Sequence, residues 1–130
     1  MNNEPLQSLV GDQIEKAKHD NSSQSWVLHF KSGSTLNIEC IWRLIEDGVI
    51  TSTSEDNGQM FGREKPFDGE AALTEMAAHK ILSVEAKEET GDINLKLGEY
   101  FTLQILSISA GYESWQFKDK SGQSIVAVSG

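Results

Sequence analysis

The strongest constraint in this chain is a pair of short segments in which apolar side chains alternate with polar ones. In the first, Trp26, Leu28 and Phe30 precede a turn at Ser32-Gly33-Ser34, and Leu36, Ile38 and Cys40 follow it. In the second, Ile93, Leu95 and Leu97 precede a turn near Gly98-Glu99, and Phe101, Leu103 and Ile105 follow it. A strand turns successive side chains to opposite faces, so a period of two puts each apolar set on one face of a hairpin. The residues between them are polar: His29, Lys31, Asn37 and Glu39 in one case, Asn94, Lys96, Thr102 and Gln104 in the other. Antiparallel sheets with one buried and one solvated face carry this pattern.

The two segments are related. Sliding the sequence 67 positions along itself, without a gap, brings Ile14 onto Ile81, Leu28 onto Leu95, Thr35 onto Thr102, Leu36 onto Leu103, Ile38 onto Ile105 and Ile41 onto Ile108. Two readings stay open, an internal duplication with halves of about 6–67 and 73–130, or two hairpins that share one grammar. Further strands are expected at Gly48 to Thr53, Glu113 to Lys118 and Ser124 to Val128, the last two joined by a turn at Asp119-Lys120-Ser121-Gly122. Between the halves, Leu73, Met76, Ala77 and Ile81 fall at helical spacing behind Asp68, a candidate N-cap, which predicts one main helix around 70–81. Pro5 to Val10 is expected to form a shorter helical turn with Leu6, Leu9 and Val10 on its apolar side. Ser52 to Phe67 shows neither period and reads as a long loop. The fold class that follows is mainly β: an antiparallel β-sandwich or half-barrel of two similar strand-plus-hairpin halves with one main helix.

A chain of 130 residues suits a single domain, 1–130, able to bury about two-thirds of its unfolded surface. No apolar run is long enough to cross a bilayer as a helix, and Met1-Asn2-Asn3-Glu4-Pro5 lacks the basic-then-apolar order of a signal peptide, so a cytoplasmic protein is expected. A lone Cys40 offers no internal disulfide. Twenty acidic residues against eleven basic ones leave a net charge of −9, which disfavours surfaces that follow nucleic acid or anionic lipid and favours basic partners. That acidity serves solubility equally well.

Chemistry-bearing patterns are scarce. His19, His29 and His79 fall in separate elements without a ligand partner at i+2 or i+4, so no metal site is expected, and His29 and His79 read as surface residues. Cys40 continues the inward series of Leu36 and Ile38 and reads as a small buried hydrophobe. No nucleophile elbow, phosphate loop or dinucleotide turn is present, so no cofactor and no enzymatic activity is expected. Carboxylates cluster instead: Glu46, Asp47, Glu55, Asp56, Glu64, Asp68 and Glu70 in one stretch, and Glu85, Glu88, Glu89 and Asp92 in a second. Each group reads either as solvated loop or as interaction surface. Trp42 keeps the inward phase and belongs with the core, which leaves Tyr112 as the better surface aromatic.

The Trp42-Arg43-Leu44 strand end, the Ser54-Glu55-Asp56-Asn57-Gly58 loop, the repeated hairpin and the closing Gly111-Tyr112-Glu113-Ser114-Trp115 segment together resemble a family of small bacterial immunity proteins encoded beside polymorphic toxins, including those of contact-dependent growth inhibition. The resemblance spans most of the chain through short motifs. It implies a β-sandwich or half-barrel that binds the basic C-terminal domain of a cognate toxin, often a nuclease, and covers its active-site cleft. The toxin-binding residues expected on this basis are Glu46, Asp47, Glu55, Asp56, Tyr112 and Glu113. A competing expectation is a β-barrel that carries a small apolar molecule in its interior. A third is an enzyme with two close carboxylates in one cleft.

Overall fold

The computed structural model describes residues 4–108 and 113–128. Among them, ten strands form two antiparallel five-stranded sheets. The strands are β1 (Ile14–Asp20), β2 (Ser25–Phe30), β3 (Thr35–Ile38), β4 (Ile41–Glu46), β5 (Val49–Thr53), β6 (Ile81–Ala86), β7 (Ile93–Leu97), β8 (Phe101–Leu106), β9 (Glu113–Lys118) and β10 (Ser124–Val128). The first sheet runs β1-β2-β3-β9-β10 and the second β6-β7-β8-β4-β5. Each half of the chain therefore builds three strands of one sheet and lends its last hairpin to the other.

Pairing registers repeat at the offset seen in the sequence. Trp26↔Ile38, Val27↔Asn37, Leu28↔Leu36 and His29↔Thr35 in the first sheet are matched, 67 positions on, by Ile93↔Ile105, Asn94↔Gln104, Leu95↔Leu103 and Lys96↔Thr102 in the second. Even the β-bulge between Ile14 and Lys16 has its counterpart between Ile81 and Ser83. The ungapped match then ends. Ile38 pairs with Trp115 where Ile105 pairs with Trp42, and Leu36 with Phe117 where Leu103 pairs with Leu44, so the offset of the lent hairpins is 73. Ile41 thus corresponds to Ser114 and not to Ile108, because the connection from β8 to β9 is longer than that from β3 to β4.

The inward faces meet as the alternation requires. Leu28, Phe30, Leu36, Ile38, Leu95, Leu97, Leu103 and Ile105 are all buried, and Trp26, Trp42 and Trp115 are at most 2% exposed. Trp26 of the first sheet packs edge-to-face on Trp42 of the second, with centroids 5.2 Å apart. Burial of three indoles between the sheets, with the aliphatic residues around them, is the main driving force for the fold.

Helical segments cover one edge of each sheet, β1 and β6. The helix α1 (Gly69–Glu75) starts at Asp68, whose side chain accepts from the Ala71 N–H, and lies along β1. Its Glu70 Oε2 accepts from the His19 N–H at 2.8 Å and its Thr74 Oγ1 from the Ala17 N–H at 3.3 Å, which occupies edge donors that would otherwise template another strand. A 3-10 helix, Glu4–Leu9, does the same for β6, where Gln7 Nε2 donates to the Val84 carbonyl at 2.9 Å. Gln7 and Thr74, like Ala17 and Val84, are 67 positions apart. Leu6, Leu9, Leu73 and Met76 are buried beneath these segments, but Val10, expected beside them, is 48% exposed.

The main helix is shorter than its apolar spacing suggests. It passes into a 3-10 turn, Met76–Ala78, and His79 is already extended. The reason is that Ile81 is taken by the sheet, where it pairs with Leu97 and its N–H reaches the Asp12 carbonyl. The long loop is also more ordered than expected. β5 extends to Thr53, a 3-10 turn follows at Ser54–Asp56, and residues 58–67 close on themselves through Gly58 N to Phe67 O at 2.9 Å and Phe67 N to Gln59 O at 2.8 Å.

Candidate functional site

Because every strand pairing is antiparallel, connections sort to two ends of the sandwich. One end collects the β1–β2 turn, the Glu39-Cys40 crossing between sheets, residues 54–57, the 87–92 turn and the start of β9. Hydrogen bonds tie these pieces together. Glu39 N–H donates to the Ser114 carbonyl at 2.8 Å, Trp42 N–H to Ser54 Oγ at 3.1 Å, Ser107 N–H to Asp92 Oδ1 at 2.9 Å and Trp115 Nε1 to the Gly91 carbonyl at 2.6 Å.

This crossing end gathers carboxylates that lie far apart in the sequence: Glu39, Glu55, Asp56, Glu88, Glu89, Asp92 and Glu113. Lys87 is the one basic residue among the described residues of these connections. The buried Cys40 reports the local field. Its thiol is pushed up to about 12, first by burial and then by the Asp92 and Glu39 carboxylates, which come from different halves of the chain. Such a thiol stays protonated and unreactive.

Lys65 also reaches this end, beside Asn21 and Asn57, but three other lysines gather on a flank. Across the outer face of the first sheet, the rows Lys16–His29–Thr35–Lys118 and Lys18–Val27–Asn37–Gln116 bring three lysines onto one surface. The molecule therefore has an acidic end and a basic flank.

The expected toxin-binding residues do not form one patch. Glu55 and Asp56 stand at the crossing end, where Asp56 also caps its own turn by accepting from the Thr53 N–H at 2.9 Å. Glu113 opens β9 at the same end, held by Gln116 Nε2. Glu46 and Asp47 lie at the far end of β4, five strand steps or about 17 Å from its start. Asp47 and Gly48, with φ of 50° and 83°, form the tight turn there, and Asp47 N–H donates to the Tyr100 carbonyl. The strand β5 separates the two acidic pairs although only seven residues part them in sequence. Tyr112 lies outside the described residues.

What local patterning did not show is that Glu39 and the Glu88–Asp92 turn join Glu55. Only the strand registers, with Ile38 beside Trp115 and Ala86 beside Ile93, reveal it. Glu85 parts from its neighbours and faces outward on the second sheet.

Two depressions matter at this stage. A recess of about 300 Å³ at the crossing end is lined by Gln24, Cys40, Ser54, Glu55 and Asn57. A shallower one of about 400 Å³ lies on the outer face of the second sheet, where Asp47, Glu85, Asn94, Lys96, Tyr100 and Gln104 contribute. The space between the sheets, which a carrier of an apolar molecule would need, is occupied by Trp26, Trp42, Trp115 and Phe117. Among the described residues, no three His, Cys, Asp or Glu side chains come together in a way that could hold a metal ion. His19 stacks on Trp26 at 4.3 Å, and His79, expected on the surface, packs half-buried on Phe101 at 5.0 Å. No helix among the described residues is long and apolar enough to cross a membrane.

No family model matches the chain, and neither a curated protein nor a solved structure matches it.

Proposed function

We propose that this protein is an immunity protein, a stoichiometric inhibitor that acts in the cytoplasm by docking its acidic crossing end into the basic active-site cleft of a toxin domain of the nuclease type. The observation that carries this reading is the convergence of Glu39, Glu55, Glu88, Glu89, Asp92 and Glu113 on one end of the sandwich, where Lys87 and Lys65 are outnumbered by carboxylates. A cleft that holds a polyanionic substrate must be cationic, and a rigid array of carboxylates can occupy it and accelerate encounter through long-range attraction. A filled interior supports a surface-binding role over transport of an apolar molecule. Asp47 and Glu46 have no part in this surface, being at the other end.

The test uses immobilised protein to capture its partner from the source cells, identification by mass spectrometry, and then growth of cells that express the identified toxin. Wild type and Glu46→Lys should protect equally. A Glu55→Lys/Glu88→Lys double variant, checked for folding by circular dichroism, should protect poorly and bind with a slower on-rate. Equal protection by all three proteins would remove the crossing end as the inhibitory surface.

A further inference from the structure

We infer that the recess lined by Gln24, Cys40, Ser54, Glu55 and Asn57 receives a single arginine side chain of the bound partner. This deepens the reading above and rests on it. The recess sits where the two halves differ. In the second half, Trp115 Nε1 reaches the Gly91 carbonyl and closes the space between strand and turn. In the first half, the residue equivalent to Gly91 is Gln24, and the residue equivalent to Trp115 is Trp42, whose buried Nε1 has no partner. The turn is open there, and Gln24 places a side chain in the opening.

Three of the five lining residues, Gln24, Ser54 and Glu55, offer hydrogen-bond acceptors. Gln24 Nε2 donates to the Asn21 carbonyl at 2.7 Å, which leaves its Oε1 as the available group. Ser54 Oγ takes only the Trp42 N–H from the backbone and keeps a second lone pair, and Glu55 brings a carboxylate. Asn57 is held in place by the Gly69 N–H on its Oδ1 at 2.9 Å. None of the five lining residues is basic, and Asp92 and Glu39 act on the lining Cys40, adding to the effect of burial on its thiol.

A volume of about 300 Å³ is at the lower edge of sites for whole small molecules, roughly 300–1,000 Å³, and suits one long side chain. The planar guanidinium presents five N–H donors in a fixed fork that a carboxylate and an amide oxygen can share, whereas an ammonium offers a strongly hydrated point charge. An arginine that enters a cationic enzyme cleft for its phosphate substrate is also the residue an inhibitor gains most by sequestering.

The experiment is a titration of the isotope-labelled full chain, followed by amide NMR shifts, with Nα-acetyl-arginine amide, Nα-acetyl-lysine amide and neutral Nα-acetyl-glutamine amide. Arginine should give saturable shifts centred on Gln24, Ser54 and Asn57, with lysine weaker and glutamine silent. Glu55→Gln should weaken arginine by roughly tenfold or more, the loss expected for one charge-assisted bond, while Glu46→Gln, at the opposite end of the sandwich, should not. Shifts spread evenly over all the acidic turns, lysine binding as well as arginine, or unchanged affinity in Glu55→Gln would each overturn the inference. If the toxin is still captured and inhibited in that event, the inhibitor reading stands and only the arginine recess falls.

Discussion

Trp42 and Trp115 hold equivalent places, each on the first strand of a hairpin lent to the opposite sheet, and each is fully buried beside a β-strand of matched register. Their surroundings differ by a few atoms. Trp115 donates to Gly91, a glycine in the left-handed region at φ 81°, whereas Trp42 faces a half in which that position is Gln24, held at φ 60°. A glutamine there costs more than a glycine, since the left-handed backbone crowds its Cβ. One half thus closes its turn and satisfies its indole, while the other tolerates an orphan donor and a strained residue beside an open recess. The comparison teaches that near-identical strand frameworks can be completed in two ways, one that satisfies the buried indole and one that leaves it unpartnered beside an open recess.

The most demanding test of the shared framework lies in the core. Leu36→Ala and Leu103→Ala occupy matched registers and are both fully buried, so each should cost about 2–5 kcal/mol, measured by urea denaturation, and the two losses should agree within about 1 kcal/mol. Unequal costs would show that the halves share pairing but not packing.

Substituting the two tryptophans sharpens the contrast. Trp115→Phe removes a donor from a buried carbonyl, and Trp42→Phe removes a donor that has no partner, so the first should destabilise more by about 1–3 kcal/mol. A smaller loss for Trp115 would mean that the Gly91 bond contributes little.

The pH dependence of Cys40 follows from its surroundings. An unfolded thiol titrates near 9.0 and the folded one near 12, so between these values the unfolded chain releases a proton that the folded chain keeps. Stability should therefore be unaffected below pH 9 and fall above it, by about 1.4 kcal/mol per pH unit relative to a Cys40→Ala variant. Parallel curves for the two proteins up to pH 11 would place the thiol in a wetter, less acidic setting. The smallest effect expected is that of Gln24→Gly, which relieves the left-handed strain and should stabilise by at most about 1 kcal/mol while lowering arginine affinity. A clear loss of stability would show that the Gln24 side chain supports the turn it sits in.

Much of this architecture was legible before any coordinates. Strict alternation around Leu28, Leu36, Leu95 and Leu103 specified which faces are buried, because a one-residue slip would turn the whole set to solvent. Strands at Glu113–Lys118 and Ser124–Val128, the cap at Asp68 and the 67-residue offset were likewise local or repetitive signals that a linear reading detects. The end of the main helix was not, since Ile81 fits a helical stripe as well as a strand, and only its pairing with Leu97 decides between them.

The candidate site was far less legible. Glu46-Asp47 and Glu55-Asp56 are neighbours in sequence, yet β5 between them carries them to opposite ends, while Glu39 and Asp92, more than fifty residues apart, act on the same thiol. The linear pattern alone settles the two hairpins, their inward faces and their 67-residue repeat, which follow from side-chain periodicity, but not where the main helix ends and β6 begins. Which sheet each lent hairpin joins, and hence which carboxylates share a surface, was decided only by tertiary structure. Strand pairing between β3 and β9 and between β4 and β8 is a long-range choice made by the packing of buried faces, and exposed charges carry no period that could announce it.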